Sequence, residues 1–281
     1  MFRTSARQNP LRSTALHLIL VIYALICVAP ILLIVMNSFK SRRGIFGAPL
    51  EWPVGKTFSL DGYETVFTIG NFPLYFQNSL IVTIVSLVLT VVFGAMAAFA
   101  LSEYRYRGRE ILTLYMILGL MVPIRLGTVG ILNMMAAAGI SNTLTALILV
   151  YTAQHLPLAI FVMSELMRQV SDDLKNAARI DGLSEYRILF RLVMPVMRPA
   201  IATIAVFTMI PIWNDLWFPL VLAPSEQTRT VTLGAQFFIG QFVTNWSAVL
   251  AALSLAIVPM LVLYLLFSRQ IIRGITSGAV K

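Results

Sequence analysis

The sequence predicts an all-α polytopic membrane protein of about six transmembrane helices, and three observations carry that prediction. Of its 281 residues 58% are hydrophobic and 12% charged, with a mean hydropathy of +0.84, far too apolar for a soluble globular domain. Apolar runs recur at about 20 residues, the length a helix needs to cross a hydrocarbon core of ~30 Å. The basic residues are shared unevenly between the segments that separate those runs.

The expected spans are about 15–37, 76–102, 108–124, 143–165, 199–222 and 247–267, within a membrane domain 15–267 and with no separate soluble domain. The first follows Arg3, Arg7 and Arg12 as a signal peptide would. It is too long for one, lacks an Ala-x-Ala-like cleavage site and precedes further spans, so it reads as a retained helix. The second carries Gly94, Ala95, Ala97 and Ala98, a small-residue patch that lets helices approach closely, read as intrachain packing rather than contact with a partner. The third is shorter and stops at Arg125. The weaker apolar piece after it, 129–138, lies in the interface or re-enters. The fourth has Gln154 and His155 near its middle beside Pro157, and the fifth has Pro211 and Asp215. A carboxylate at that depth, roughly 22 Å from the inner end at ~1.5 Å per residue, faces a polar cavity or a partner rather than lipid.

Orientation follows from charge. If the N-terminus is cytoplasmic, fifteen of the 21 basic residues fall in inside segments and six outside, so the 1–14 segment and the 268–281 tail are both expected inside. The net charge of +9 is then the positive-inside rule at work, and no nucleic-acid partner is needed. Chemistry within the chain is not expected. Cys27 is the single cysteine and reads as a small buried hydrophobe; His17 and His155 sit in different spans without a carboxylate cluster. No phosphate-cradling G-x-x-x-x-G-K-[ST] is present, so the chain is not read as an enzyme and is expected to bind no cofactor or metal.

The longest charged interval, 166–198, predicts a helix–turn–helix at the cytoplasmic surface. Ser171 is placed to cap a helix whose first turn carries Asp172 and Asp173, with Lys175 and Arg179 toward its other end and Gly182 as a left-handed stop. Val170, Leu174, Ala177 and Ala178 share one small apolar face. Ser184 is placed to cap a second helix, on which Leu183, Tyr186, Phe190 and Val193 share a side until Pro195 and Pro199 lead into the fifth span. One reading is an amphipathic loop resting on lipid headgroups. Against it, the first helix lacks bulky anchors and its carboxylates are repelled by anionic lipid, so a groove on a protein fits better.

That interval, "NAARIDGLSEYRILFRLVMPVMRP", resembles the EAA loop of permease subunits of binding-protein-dependent ABC importers. The family pattern is Glu-Ala-Ala, two residues, Asp-Gly, then a Phe and a Leu-Pro about a dozen residues on. Ala177, Ala178, Asp181, Gly182, Phe190, Pro195 and Pro199 match, while Asn176 stands where the family has Glu and Met194 where it has Leu. The likeness extends to "NSLIVTIVSLVLTVVFGAMAAFALSEY", "GISNTLTALILVYTAQHLPLAIFVM" and "WNDLWFPLVL". The closing "RQIIRGITSGAVK" is similar to the C-terminus of carbohydrate-uptake permeases, the branch that holds the smaller permease of the maltose importer. The stretch "VPIRLGTVGILNMM" departs, since many relatives carry a Pro-Leu pair there.

The resemblance implies a multi-pass protein of the bacterial inner membrane that translocates a sugar or sugar-like solute. Its implied partners are a second, different permease, two ATP-binding subunits that hold ATP and magnesium, an extracytoplasmic solute-binding protein and membrane lipid. Asn176 through Gly182, with Phe190 and Pro195, would dock on the ATPase. Asn214 and Asp215 suit sugar hydroxyls, and Trp213 or Trp217 a pyranose face, the alternative for Asp215 being an interhelical hydrogen bond and for the tryptophans an interfacial aromatic belt. Gln154 or His155 lines the route or satisfies the carbonyl freed by Pro157. The rival class is a self-sufficient secondary transporter or channel, which would show ion-coupling residues or paired broken helices in internal repeats.

Overall fold

The computed structural model describes residues 10–239 and 244–279. Arg3 and Arg7 of the expected cytoplasmic N-terminal segment and the last two residues of the tail lie outside the described residues. In chain order the helices are α1 Pro10–Ser38, α2 Arg42–Gly47, α3 Asp61–Thr68, α4 Phe72–Glu103, α5 Arg109–Met121, α6 Thr128–Ala137 and α7 Leu144–Met167. There follow α8 Asp172–Ile180, the single turns α9 Glu185–Arg187 and α10 Met194–Val196, α11 Arg198–Asn214, α12 Trp217–Leu222, α13 Val231–Gln236 and α14 Trp246–Ala279. Among the described residues the only extended pairings are two isolated bridges, Lys40 with Phe58 and Ile239 with Thr244.

Four helices, α1, α4, α7 and α14, are long and apolar enough to cross a membrane by themselves. Two bent pairs bring the count to six if each is one span: α5 with the segment 124–137, bent by 88°, and 185–196 with α11, bent by 82°. The bends have covalent causes. Proline disfavours helix in the residue before it, so α5 stops at Met121 ahead of Pro123, and the weak apolar piece expected to lie flat or re-enter becomes α6. The fifth span is not continuous over 199–222. It stops at Asn214, breaks at Asp215 and Leu216 and resumes as α12. At the other end of the chain α14 continues as helix through Ala279, so the 268–281 tail begins as an extension of the last span.

The chain divides into two compact units. The first comprises residues up to Gly70 together with Ala235–Leu255. In it Lys40 is fully buried and spends its charge on carbonyls, donating from Nζ to Ala48 O at 2.8 Å and Pro49 O at 3.2 Å. The most apolar window of α1 has 0% of its residues buried, and Cys27 is exposed on it rather than buried as the sequence suggested.

The second unit, Asn71–Gly234 with the remainder of α14, is built on α4 against α7. The small-residue patch does what close packing requires: a Cβ on Gly94 would stand 3.0 Å from the Ala159 Cβ of α7, and Ala95 and Ala98 are fully buried beside it. Ser79, Thr83, Ser86 and Thr90 make a second, polar stripe along α4 and are equally buried. At its far end Asn78 Nδ2 donates to the carbonyls of Gln227 and Arg229, both at 2.9 Å, and Ser79 Oγ accepts from the Val231 N–H at 2.8 Å. Two apolar cores follow. One joins Ala98 and Phe99 of α4 and Met163 of α7 to Ala178 of α8 and Ile188, Val193 and Ile204 beyond it. The other joins Val82, Met135, Leu147, Tyr151, Phe218 and Leu222.

Candidate functional site

The loop after α7 is the helix–turn–helix that the charge pattern predicts, with its hinge where expected. Gly182 has φ +78°, and a Cβ there would meet nothing within 4 Å, so the demand for glycine is one of backbone conformation alone. The caps differ from expectation. Ser171 and Ser184 sit at the N-cap positions of α8 and α9, but neither side chain caps its helix. The second helix is also not uniform. It widens into a π turn over Ile188–Val193, where the Met194 N–H reaches back five residues to Leu189 O. A proline ring clashes with the carbonyl four residues earlier, and a wider turn ahead of Pro195 relieves that contact.

The two faces of this loop are sorted differently from the small alanine face expected. Ala178 is buried in the chain's own core with Ile188, Leu189 and Val193, so it is not available to a partner. Ala177, Asn176 and Asp181 are exposed, as are Leu174 at 46%, Ile180 at 86% and Tyr186 at 67%, with Phe190 and Pro195 beyond them. Enlarging Ala178 therefore overfills an internal core. Ala178→Trp is expected to destabilise the chain by roughly 1–3 kcal/mol of overpacking or more, lowering its unfolding midpoint before any partner is added. Thermal unfolding of the isolated chain checks it.

A cluster that the sequence reading missed pins the inner face. Glu103, the last residue of α4, pairs with Lys175 Nζ through Oε1 and accepts from Arg179 Nη2 through Oε2 at 3.1 Å. Arg179 also donates from Nε and Nη2 to the two Glu185 oxygens at 2.8 and 3.1 Å, and from Nη1 to Asn176 Oδ1 at 2.9 Å. Lys175 reaches Asp172 Oδ1 at 2.9 Å. Burial alone would lower the Lys175 pKa, but its hydrogen bonds and attraction to Glu103 and Asp172 hold it above the ordinary value. The hydrogen bond from Arg179 holds Glu185 below the usual carboxylate range, and Lys175 does the same for Asp172. A signal was present in the sequence. A lone acid at a helix C-terminus opposes the helix dipole, which favours cations there, and such a placement asks for a basic partner.

A second constellation forms where the two helix breaks meet. Asp215 accepts from Arg125 Nη2 at 3.2 Å and the Tyr151 hydroxyl at 2.8 Å, and from the backbone N–H groups of Trp217 at 3.3 Å and Phe218 at 3.1 Å. Trp217 Nε1 donates to Thr128 Oγ1 at 3.0 Å. Both Asp215 oxygens are thus occupied from within the chain: the carboxylate caps α12 and ties it to α7 and to the turn before α6. Of the alternatives open for Asp215, this is the interhelical bond. Arg125, with its side chain 66% exposed, is the charge that faces open space.

The remaining residues separate cleanly. Trp213 is buried, donates from Nε1 to Ala256 O at 3.0 Å and stacks edge-on against Phe76, so it cannot meet a sugar face. Trp217 at 42% exposure and Asn214, whose Nδ2 turns back to Ile210 O, stay accessible. The carbonyl freed by Pro157 belongs to Ala153, yet His155 Nδ1 bonds Tyr151 O instead. Gln154 keeps a buried Oε1 without a hydrogen-bond partner.

These partners set the expected cost of changing Asp215. Asp215→Ala strips the cap of α12 and leaves the buried Tyr151 hydroxyl without its acceptor, together about 2–4 kcal/mol. Arg125→Gln removes a solvent-exposed guanidinium from a carboxylate that keeps its other three donors, at a cost of about 1 kcal/mol. Thermal unfolding of the two variants should rank them in that order. Equal stability would return Asp215 to the list of free pathway groups.

Long apolar helices, two of them broken where polar side chains gather, and a pinned surface loop define a multi-pass membrane transport component. The chain belongs to the family of binding-protein-dependent transport system inner membrane components, which matches residues 90–277, and is a permease of the ABC importer class. Among its relatives is the diacetylchitobiose uptake system permease protein of Streptomyces coelicolor, 31% identical over 267 residues, 94% of this chain and 88% of that one. The trehalose/maltose transport system permease protein of Thermococcus litoralis is 30% identical over 279 residues, covering 98% and 99%. In fold it is similar to a chain of a bacterial ABC transporter involved in the import of the acidic polysaccharide alginate. The TM-score there is 0.81 at 21% identity, covering 94% of this chain and 98% of that one.

Proposed function

We propose that this chain is one membrane half of an ATP-driven importer for a sugar or sugar-like solute. It works with a second, different permease, two ATP-binding subunits and an extracytoplasmic solute-binding protein, with both of its termini in the cytoplasm. ATP and magnesium belong to the ATP-binding subunits, and this chain contributes movement rather than hydrolysis. The carbohydrate class is supported by relatives named for uptake of diacetylchitobiose, arabinooligosaccharides and trehalose/maltose.

The observation that carries the coupling role is the outward face of α8 and the turn after it. Leu174, Ile180, Tyr186 and Phe190 are exposed on a segment whose opposite face is already buried and ion-paired. An aliphatic side chain 86% exposed next to Asp181, on a helix that opens with Asp172 and Asp173, suits a cleft in a protein better than an anionic lipid surface. Asn176, Ala177, Asp181, Phe190 and Pro195 belong to the docking face or its edges, with Gly182 setting the angle between its helices. The solute route passes the helix breaks, where Asn214, Trp217 and Arg125 are accessible, with Gln154, whose Oε1 is buried without a partner, as a further candidate along α7. Broken helices also suit a secondary transporter, but membership of a binding-protein-dependent family leaves that rival without support.

Ile180→Asp tests the docking face without touching the core. Insertion and unfolding should be unchanged, while retention of the ATP-binding subunit on the purified permease should fall about tenfold or more, as for a central interface anchor. Undiminished retention and solute-stimulated hydrolysis would remove the coupling assignment.

A further inference from the structure

Between α4 and α5 the chain runs "YRYRGRE", and its arginines have no part in the coupling reading. Arg105, Arg107 and Arg109, with Arg168 from the end of α7, line an open basin of about 950 Å³ that holds one acid, Glu110. None of the first three has a carboxylate within ion-pair distance among the described residues, and Arg168 shares an exposed pair with Glu165 at 3.3 Å. The basin's other wall is apolar, formed by Ile111, Leu114 and Ile117 along α5. It continues into a narrower crevice of about 190 Å³ between Leu101, Met116, Ile160 and Phe161, the two sharing Thr113, Ile117 and Arg168. In that crevice the Ser164 hydroxyl is buried without a hydrogen-bond partner, a cost that a ligand acceptor would remove.

We propose that basin and crevice together bind one anionic phospholipid. The phosphate would lie against Arg105, Arg109 and Arg168, and the upper part of an acyl chain against Ile117 and Phe161, with an ester oxygen within reach of Ser164. The guanidiniums of Arg105 and Arg109, without a carboxylate partner among the described residues, select the charge and suit a phosphate geometrically, and Arg168 adds a third beside its exposed pair with Glu165. The apolar half is what distinguishes a lipid from free phosphate, which has nothing to place in the crevice. Arg105, Arg109 and Arg168 also line a hollow of about 400 Å³ with Glu103, Asp172 and Arg179, so the headgroup sits next to the ion pairs that hold α8.

The test uses the full-length chain in detergent, with retained lipid read by native mass spectrometry and affinity by titration. The probes are dioleoylphosphatidylglycerol, dioleoylphosphatidylcholine and inorganic phosphate. Phosphatidylglycerol should bind about tenfold to thirtyfold tighter than phosphatidylcholine, the scale expected for two basic groups at a headgroup. Arg105→Gln with Arg109→Gln should erase that preference, and the corresponding double Lys variant should keep most of it. Ile117→Trp should weaken both lipids alike by filling the crevice. Three results would each overturn the proposal: equal affinity for the two lipids, a preference that survives the double Gln variant, or displacement of phosphatidylglycerol by phosphate as readily as by lipid.

Discussion

Glu103→Ala should uncouple the transporter while leaving its spans inserted. Glu103 and Lys175 have side chains only 9% and 3% exposed, so removing the acid leaves an ammonium buried with Asp172 as its one remaining carboxylate. Losing one member of a buried pair costs about 3–5 kcal/mol, which is of the order that holds a nine-residue helix in place. The expected result is loss of most solute-stimulated hydrolysis, faster proteolysis within α8 and little change in membrane insertion. Normal stimulation would mean that α8 is held by its apolar face alone. The same cluster has a defined pH window. Glu185 and Asp172 have depressed pKa values, so what they contribute is present above their ordinary 4.5 and 3.8 and fades as pH falls through the lowered values. Lys175 is raised, so its contribution is complete below 10.5 and is lost only as pH rises through the elevated value. Proteolysis of the loop should therefore be flat from about pH 5 to 10 and accelerate outside those limits.

Gly182→Val should have the second large effect. At φ +78° a residue with a Cβ costs roughly 1–2 kcal/mol, and a β-branched one more, even though the space around it is open. The chain's alternative is to leave the left-handed region, which swings α8 relative to the segment after it. Since α8 is fastened through Lys175 and Arg179, the change falls on the exposed residues on either side of the turn, Ile180 and Asp181 before it and Tyr186 after it. Association with the ATP-binding subunit should weaken, whereas Gly182→Asn, which tolerates the left-handed region, should retain most of it. Equal behaviour of the two variants would show that the turn angle does not matter.

Hydropathy and charge make the class and the four unbroken long helices readable because both are local properties of sequence. Proline placement explains why the third span stops where it does. The break at Asp215 was not legible, because that carboxylate is held by partners far along the chain, Tyr151 and Arg125, that no window contains. The same applies to Ala178, whose face was assigned from helical periodicity. Periodicity gives a face but not which neighbour it meets, and here the neighbour is the chain's own Ile188 and Val193. Glu103 was overlooked because it looks like an ordinary end-of-span charge until Lys175 and Arg179 are brought beside it.

The N-terminal end of α4 carries a consequence for biosynthesis. Asn78 and Ser79 enter the membrane early, yet the groups that satisfy them, the carbonyls of Gln227 and Arg229 and the amide of Val231, are 149 to 152 residues further along. At ~5–20 residues per second those partners appear about 8–30 s after α4 itself. For that interval Asn78 and Ser79 are in or near lipid without these partners, whereas α1, with nothing buried in its apolar window, is complete as soon as it emerges. The chain thus has one span that can settle alone and one that must be sheltered, and the demand on the insertion machinery is concentrated between them.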